Sequence, residues 1–189
     1  MPRKGGVREK ILDVALNLFL KKPYGKVSID DIAKSAGVSK GAVFHYFKSK
    51  LDLAEKALEK FFLSVVAIPL KRILESDASF EDKVGRVVSL SLSVSLNSNF
   101  KSMLFLTNIY EELRSRGRGG FVEKIYEEFV EVFASFFEEN GVRNPRVKAR
   151  LFMAVLDGLG LQCMISPETF RDPEVVDAIK REVVCMLRC

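Results

Sequence analysis

The chain is expected to be all-α: an N-terminal three-helix unit carrying a helix-turn-helix, then a larger helical body, about nine helices in all. Three observations predict this. Apolar residues recur at helical spacing along most of the 189 residues. Only six prolines are present, and alternating β-branched runs are scarce. Positive charge is gathered at one end: residues 1–60 hold 13 Lys and Arg against 7 Asp and Glu, whereas residues 61–189 hold 17 against 18. The boundary is expected near residue 50, with residues 1–50 as the basic unit and residues 51–189 as the body.

The first helix is read from Val7, Ile11, Val14, Ala15, Leu18 and Phe19, which fall on one apolar face and carry it from about Val7 to Lys21. Pro23 and Gly25 then stop it. Ser28 opens a second helix as N-cap, with Asp31 three positions on to complete a capping box, and Gly37 ends it by taking a left-handed conformation. Ser39 caps a third, short helix that turns Val43, Phe44 and Phe47 inward and leaves Lys40, Ala42, His45 and Tyr46 partly outward. Ser49 and Lys50 start a long fourth helix that Pro69 kinks or ends. Further helices are expected at about 80–97, 100–113, 121–139, 145–164 and 173–188. The breakers between them include Asn97 to Asn99, RSRGRGG, ENGVRNP and SPETFRDP.

Composition excludes several classes. Cys163, Cys185 and Cys189 form no C-x-x-C pair and have no histidine nearby, so no metal site or cofactor is expected and the thiols are read as reduced. No stretch has the length and apolarity of a signal peptide or a membrane span, which points to a cytoplasmic protein without a membrane partner. The single histidine falls in the third helix, and no nucleophile–base pair or paired-carboxylate site stands out, so no catalytic residue is assigned. The acidic pairs at 111–112, 127–128 and 138–139 suit solvated helical faces.

The segment SKGAVFHYFKSK concentrates the positive charge around small and aromatic residues. On a helix lying in the major groove of double-stranded DNA, Lys40 can donate to guanine acceptors. Gly41 and Ala42 allow close approach and contact with a thymine methyl, and His45 can reach a base or a phosphate. Tyr46, Lys48 and Lys50 are read as phosphate holders, the amides at the starts of the second and fourth helices, near Ser28 and Lys50, offer further anion sites, and Ser39 is counted with the DNA-binding residues.

SIDDIAKSAGVSKGAVFHYFKSK resembles the DNA-binding domain of TetR-type transcriptional regulators, over about residues 8–55. The resemblance implies base contacts near Lys40, Gly41 and Ala42 and phosphate contacts from Tyr46 and Lys50. Phe44 stands where a tyrosine is frequent, and Asp30 where an arginine often assists. The resemblance also implies a small-molecule effector in the second domain and a homodimer.

Twelve of the fifteen phenylalanines lie in residues 61–189. They suit either an ordinary helical core or an apolar cavity between helices. The cavity reading assigns Phe62, Val66, Leu90 and Val94, together with Phe105, Phe129, Phe133 and Phe152, to a site for a fatty, acyl or aromatic effector. A dimer seam is expected from the last two helices through Val155, Gly158, Leu159 and Gln162 on one and Val176, Ile179, Val183 and Met186 on the other. The expected function is a ligand-responsive repressor released from a near-palindromic operator. The alternative from another class is a helical enzyme acting on a hydrophobic small molecule.

Overall fold

The computed structural model describes residues 6–97 and 101–189, with side chains omitted at 97 and 101–104. The expected break at 98–99 and Phe100, the expected start of the following helix, lie outside these residues. Among the described residues there is no strand. The helices are α1 (Val7–Lys21), α2 (Ile29–Ala36), α3 (Lys40–Tyr46), α4 (Lys50–Phe61), α5 (Ile68–Leu74), α6 (Phe80–Asn97), α7 (Lys101–Ser115), α8 (Gly120–Glu139), α9 (Pro145–Ile165) and α10 (Pro173–Arg188). A π-helical turn at Phe62–Ala67 joins α4 to α5, so the long fourth helix of the sequence reading is one interrupted path. Pro69 gives the physical reason. Its ring would clash with the carbonyl four residues earlier, and a widened turn just before it relieves that contact.

The chain divides into two compact units, and not at residue 50. The first comprises residues 1–64 and 104–119, the second residues 65–103 and 120–189. In the first unit Ile11, Ala15 and Phe19 of α1 pack with Ile32 and Ala33 of α2, Val43 of α3, and Leu53, Leu58 and Phe61 of α4. Phe105 of α7 joins this core, stacked on Phe19 at 6.0 Å between ring centres and edge-on to Phe61 at 6.4 Å. That aromatic contact takes α4 and the later part of α7 into the N-terminal unit. Two ion-pair clamps reinforce it: Lys60 lies 2.8 Å from Glu9 and 2.7 Å from Asp13, and Arg118 pairs with Glu55.

The second unit is built on a phenylalanine core. Phe80 stacks on Phe136 at 5.4 Å, and Phe152 sits edge-on to Phe133 at 5.0 Å and to Phe137 at 5.6 Å. Val84 and Val88 of α6, Ala149 and Cys163 of α9, and Val183 and Leu187 of α10 close around them. Between α8 and α9 the Arg150 guanidinium grips both oxygens of Glu127 at 2.7 and 2.8 Å. Alongside, Tyr126 donates to Asp157 at 2.7 Å, and burial together with that carboxylate pushes the phenol up to about 12.

Candidate nucleic-acid interface

The helix-turn-helix is held by local hydrogen bonds that the sequence spells out. The Asp31 amide donates to the Ser28 hydroxyl oxygen at 3.0 Å, and the Ser28 amide donates to the Asp31 carboxylate at 2.9 Å, a complete capping box. The Ser28 hydroxyl also donates to that carboxylate, at 2.6 Å, and this bond above all holds the Asp31 carboxyl below its usual range. At the other end Gly37 has φ +65°, and the Gly37 and Val38 amides close back on Lys34 and Ala33. This sharp turn delivers the chain to Ser39, whose hydroxyl oxygen accepts from the Ala42 amide at 3.1 Å and starts α3.

On α3 only Val43 is fully buried, with Phe47 just beyond it. Lys40, Gly41, His45, Tyr46 and Lys48 are exposed and Ala42 is half-exposed, so none of the expected DNA-contacting residues of this helix is taken up by the core. The His45 and Tyr46 rings meet edge-on at 4.9 Å. Phe44 does not pack inward as expected: it is 47% exposed, because the i, i+4 pair Val43 and Phe47 alone faces the core. Lys40 Nζ lies 2.9 Å from Asp30, so the residue that replaces the resemblance's arginine holds the candidate base donor. Both partners are more than half exposed, and such a pair is weak enough to exchange for a base or phosphate.

Two expected phosphate holders sit differently. The Lys50 ammonium turns inward, donating to the Tyr24 and Val27 carbonyls at 3.0 and 3.1 Å and lying 3.9 Å from the Tyr24 ring centre. Burial is the main cause that holds it below the ordinary lysine value. Ser28 has its oxygen and its proton engaged with Asp31, as above. The start of α2 therefore already carries a carboxylate, and α4 repeats the pattern: Asp52 donates its amide to Ser49 and accepts from the Lys48 amide at 2.9 Å. Neither helix start is the open anion site expected from the sequence.

The residues read as an effector pocket do not form one lining. Phe105 is in the core of the first unit, and Phe133 and Phe152 are in that of the second, each nearly fully buried by ring contacts. Leu90 and Phe129 are half-buried against the second core; Phe62, Val66 and Val94 are half-exposed. A groove of about 510 Å³ on the second unit, between α6 and α10, is lined instead by charged residues including Glu81, Arg86, Asp177 and Lys180.

Of the residues expected in a dimer seam, several are engaged by the chain's own core. Leu159 and Val183 are buried within the chain, and Val155, Val176, Ile179 and Met186 pack on that same core. Gln162 is exposed and Gly158 is half-buried with open space above it. Sequence periodicity missed the outward stripe of α9. Val147, Leu151, Leu161 and Ile165 are 61, 47, 48 and 71% exposed, and Ala154 and Gly158 fall between them. Their 4-3-4-3-4 spacing was legible, but α9 is apolar almost all round, which hides which stripe is the outer one.

Residues 11–57 match the family described as bacterial regulatory proteins, tetR family. The HTH-type transcriptional regulator AcrR of Shigella flexneri is 46% identical over 52 residues, 28% of this chain and 24% of AcrR. The chain thus spans about a quarter of that relative's length in the matched region. The HTH-type transcriptional regulator YwcC of Bacillus subtilis is 26% identical over 178 residues, 86% of this chain and 79% of its own. Among solved structures, NalD of Pseudomonas aeruginosa, the secondary repressor of the MexAB-OprM multidrug efflux pump, is similar with a TM-score of 0.65 and 25% identity, covering 96% of this chain and 95% of NalD. With a capping box, left-handed glycine turn and exposed third helix in the matched segment, residues 11–57 carry the DNA-binding domain of the tetR family of bacterial regulatory proteins, and the chain as a whole resembles such regulators along nearly its whole length.

Proposed function

We propose that this protein is a dimeric, ligand-responsive transcriptional repressor that binds a near-palindromic operator through α3. The observation that carries the reading is the open edge of α3. Lys40, Gly41, Ala42, His45 and Tyr46 are free of the core on a helix of only seven residues, and Val43 and Phe47 anchor it from behind. A helix this short and this exposed contributes little to packing, and its side chains suit base edges and phosphates. Repression as the direction of control is supported by NalD, a repressor.

One such helix reads only a few base pairs, so a two-fold pair is needed to span two half-sites. The outward stripe of α9 supplies a self-complementary apolar face for that pair, with Gly158 allowing close approach. An apolar effector is the accompanying proposal. It acts by binding one arrangement of the helices better than another, since only a difference in affinity can shift such an equilibrium. Val66, Leu90, Val94 and Phe129 are the side chains of the second unit among the eight that packing leaves partly accessible to it.

Fluorescence anisotropy of the protein with duplexes from its own upstream region, against shuffled duplexes at two salt concentrations, tests the DNA reading. Salt-sensitive binding to one near-palindromic fragment is the expected result. Equal binding to every duplex would reduce the segment to a basic surface.

A further inference from the structure

Cys185 and Cys189 lie at the end of α10, both exposed, with their sulfur atoms 3.9 Å apart. The Cys189 amide donates to the Cys185 carbonyl at 3.0 Å, so the backbone between them keeps the helical i, i+4 spacing. That spacing holds the two Cβ atoms ~5–6 Å apart, wider than the ~3.5–4.5 Å a disulfide tolerates. A sulfur–sulfur bond would require this turn to unwind, and the turn is anchored. Leu187 is buried on its inner side. Arg188 donates to Glu81 at 2.7 Å and to the Asn140 carbonyl at 3.1 Å, with its guanidinium 4.2 Å from the Phe80 ring centre.

A cation placed between the sulfurs needs no such rearrangement. With metal–thiolate bonds of ~2.3 Å, sulfurs 3.9 Å apart subtend about 116° at the metal, close to the tetrahedral ~109°. The one cationic side chain on that turn, Arg188, is turned to Glu81.

We propose that Cys185 and Cys189 form a surface dithiolate site for a thiophilic closed-shell cation of the zinc class. Sulfur ligands select such ions over magnesium or calcium. Binding exchanges two S–H bonds for two metal–sulfur bonds and releases both protons to solvent, with no change of oxidation state. Among the described residues no third His, Cys, Asp or Glu joins the pair, so solvent or the same two thiolates of a second chain complete the coordination. The sequence reading set metal aside for want of C-x-x-C. On a continuous helix, C-x-x-x-C is the spacing that puts two thiols on one face. Cys163 is wholly buried in the core of the second unit and takes no part.

Titration of the reduced chain with cadmium ion, a spectroscopic substitute for zinc, provides the test. The expected result is saturable thiolate-to-metal absorption in the ultraviolet, at one ion per chain or one per two chains. Two thiols should become protected from a thiol reagent, and added zinc should displace the cadmium. Cys185→Ser and Cys189→Ser should each abolish the signal, and Cys163→Ser should retain it. Absence of the band in the unsubstituted chain, or its survival in Cys185→Ser, would overturn the proposal. Both exposed cysteines tolerate serine without disturbing the core, so circular dichroism of the variants should be unchanged.

Discussion

Lys40 and Lys50 look alike in the sequence, two lysines flanking an aromatic cluster, yet the fold gives them different work. Lys40 is exposed and held only by Asp30. Lys40→Ala should cost about 1–3 kcal/mol at one base position and relax specificity there, with stability changed little. Asp30→Asn should free the ammonium and remove a negative charge facing the phosphates. Operator affinity should then tighten by up to about fivefold, as fits the ~0–1 kcal/mol of an exposed pair. Anisotropy against a panel of base-substituted duplexes reads both. Lys50, in contrast, satisfies two backbone carbonyls where α1 turns into α2. Lys50→Met should therefore cost about 1.5–3 kcal/mol of folding stability, the range for bonds to a charged group, while the slope of DNA affinity against salt stays the same. The sequence alone makes Lys50 a phosphate contact, for which the slope would fall by ~1; chemical denaturation and a salt series separate the two.

Helices α1 to α3 were legible almost to the residue because their signals are local. A serine, a carboxylate three residues on, and a glycine at the end fix a helix whatever it packs against, and the Ser28, Asp31 and Gly37 geometry is what those signals specify. The π-turn ahead of Pro69 and the burial of Phe105 beside Phe19 were not legible. The first depends on how strain is relieved over several residues, the second on which of many phenylalanines meet after the chain folds back. The capping box also gives α2 a pH signature. Hydrogen bonds from the Ser28 hydroxyl and then the Ser28 amide depress the Asp31 carboxyl below its usual 3.8. A depressed carboxyl stabilises the folded state fully above its unfolded value, and the contribution is lost as pH falls through the lower folded value. The native protein should thus be more stable than Asp31→Ala at neutral pH, and the gap should close below pH 3.8, as thermal melts across that window would reveal. A gap independent of pH would mean that the carboxylate does not cap the helix.

For the molecule as a whole the decisive quantity is the number of chains that meet DNA. Recognition helices on a two-fold pair can engage half-sites ~34–36 Å apart, or a multiple of that, which a single seven-residue helix cannot do. Two faces compete for the seam. The face read from sequence includes Val183, which the structure buries at 5% exposure, so Val183→Asp should unfold the chain, with a charge left unpaired in the core. The outward stripe of α9 loses nothing internal when it is made polar. Leu151→Asp with Leu161→Asp should keep the helical signal and melting cooperativity while sedimentation shifts from dimer to monomer at micromolar concentration. Operator affinity should then fall at least tenfold for the two-half-site duplex, with binding to an isolated half-site unchanged, because each α3 is intact and only the avidity is gone. A doubly substituted protein that still sediments as a dimer would remove the stripe as the seam. A monomer that binds the full operator as tightly as before would remove dimerisation from the mechanism.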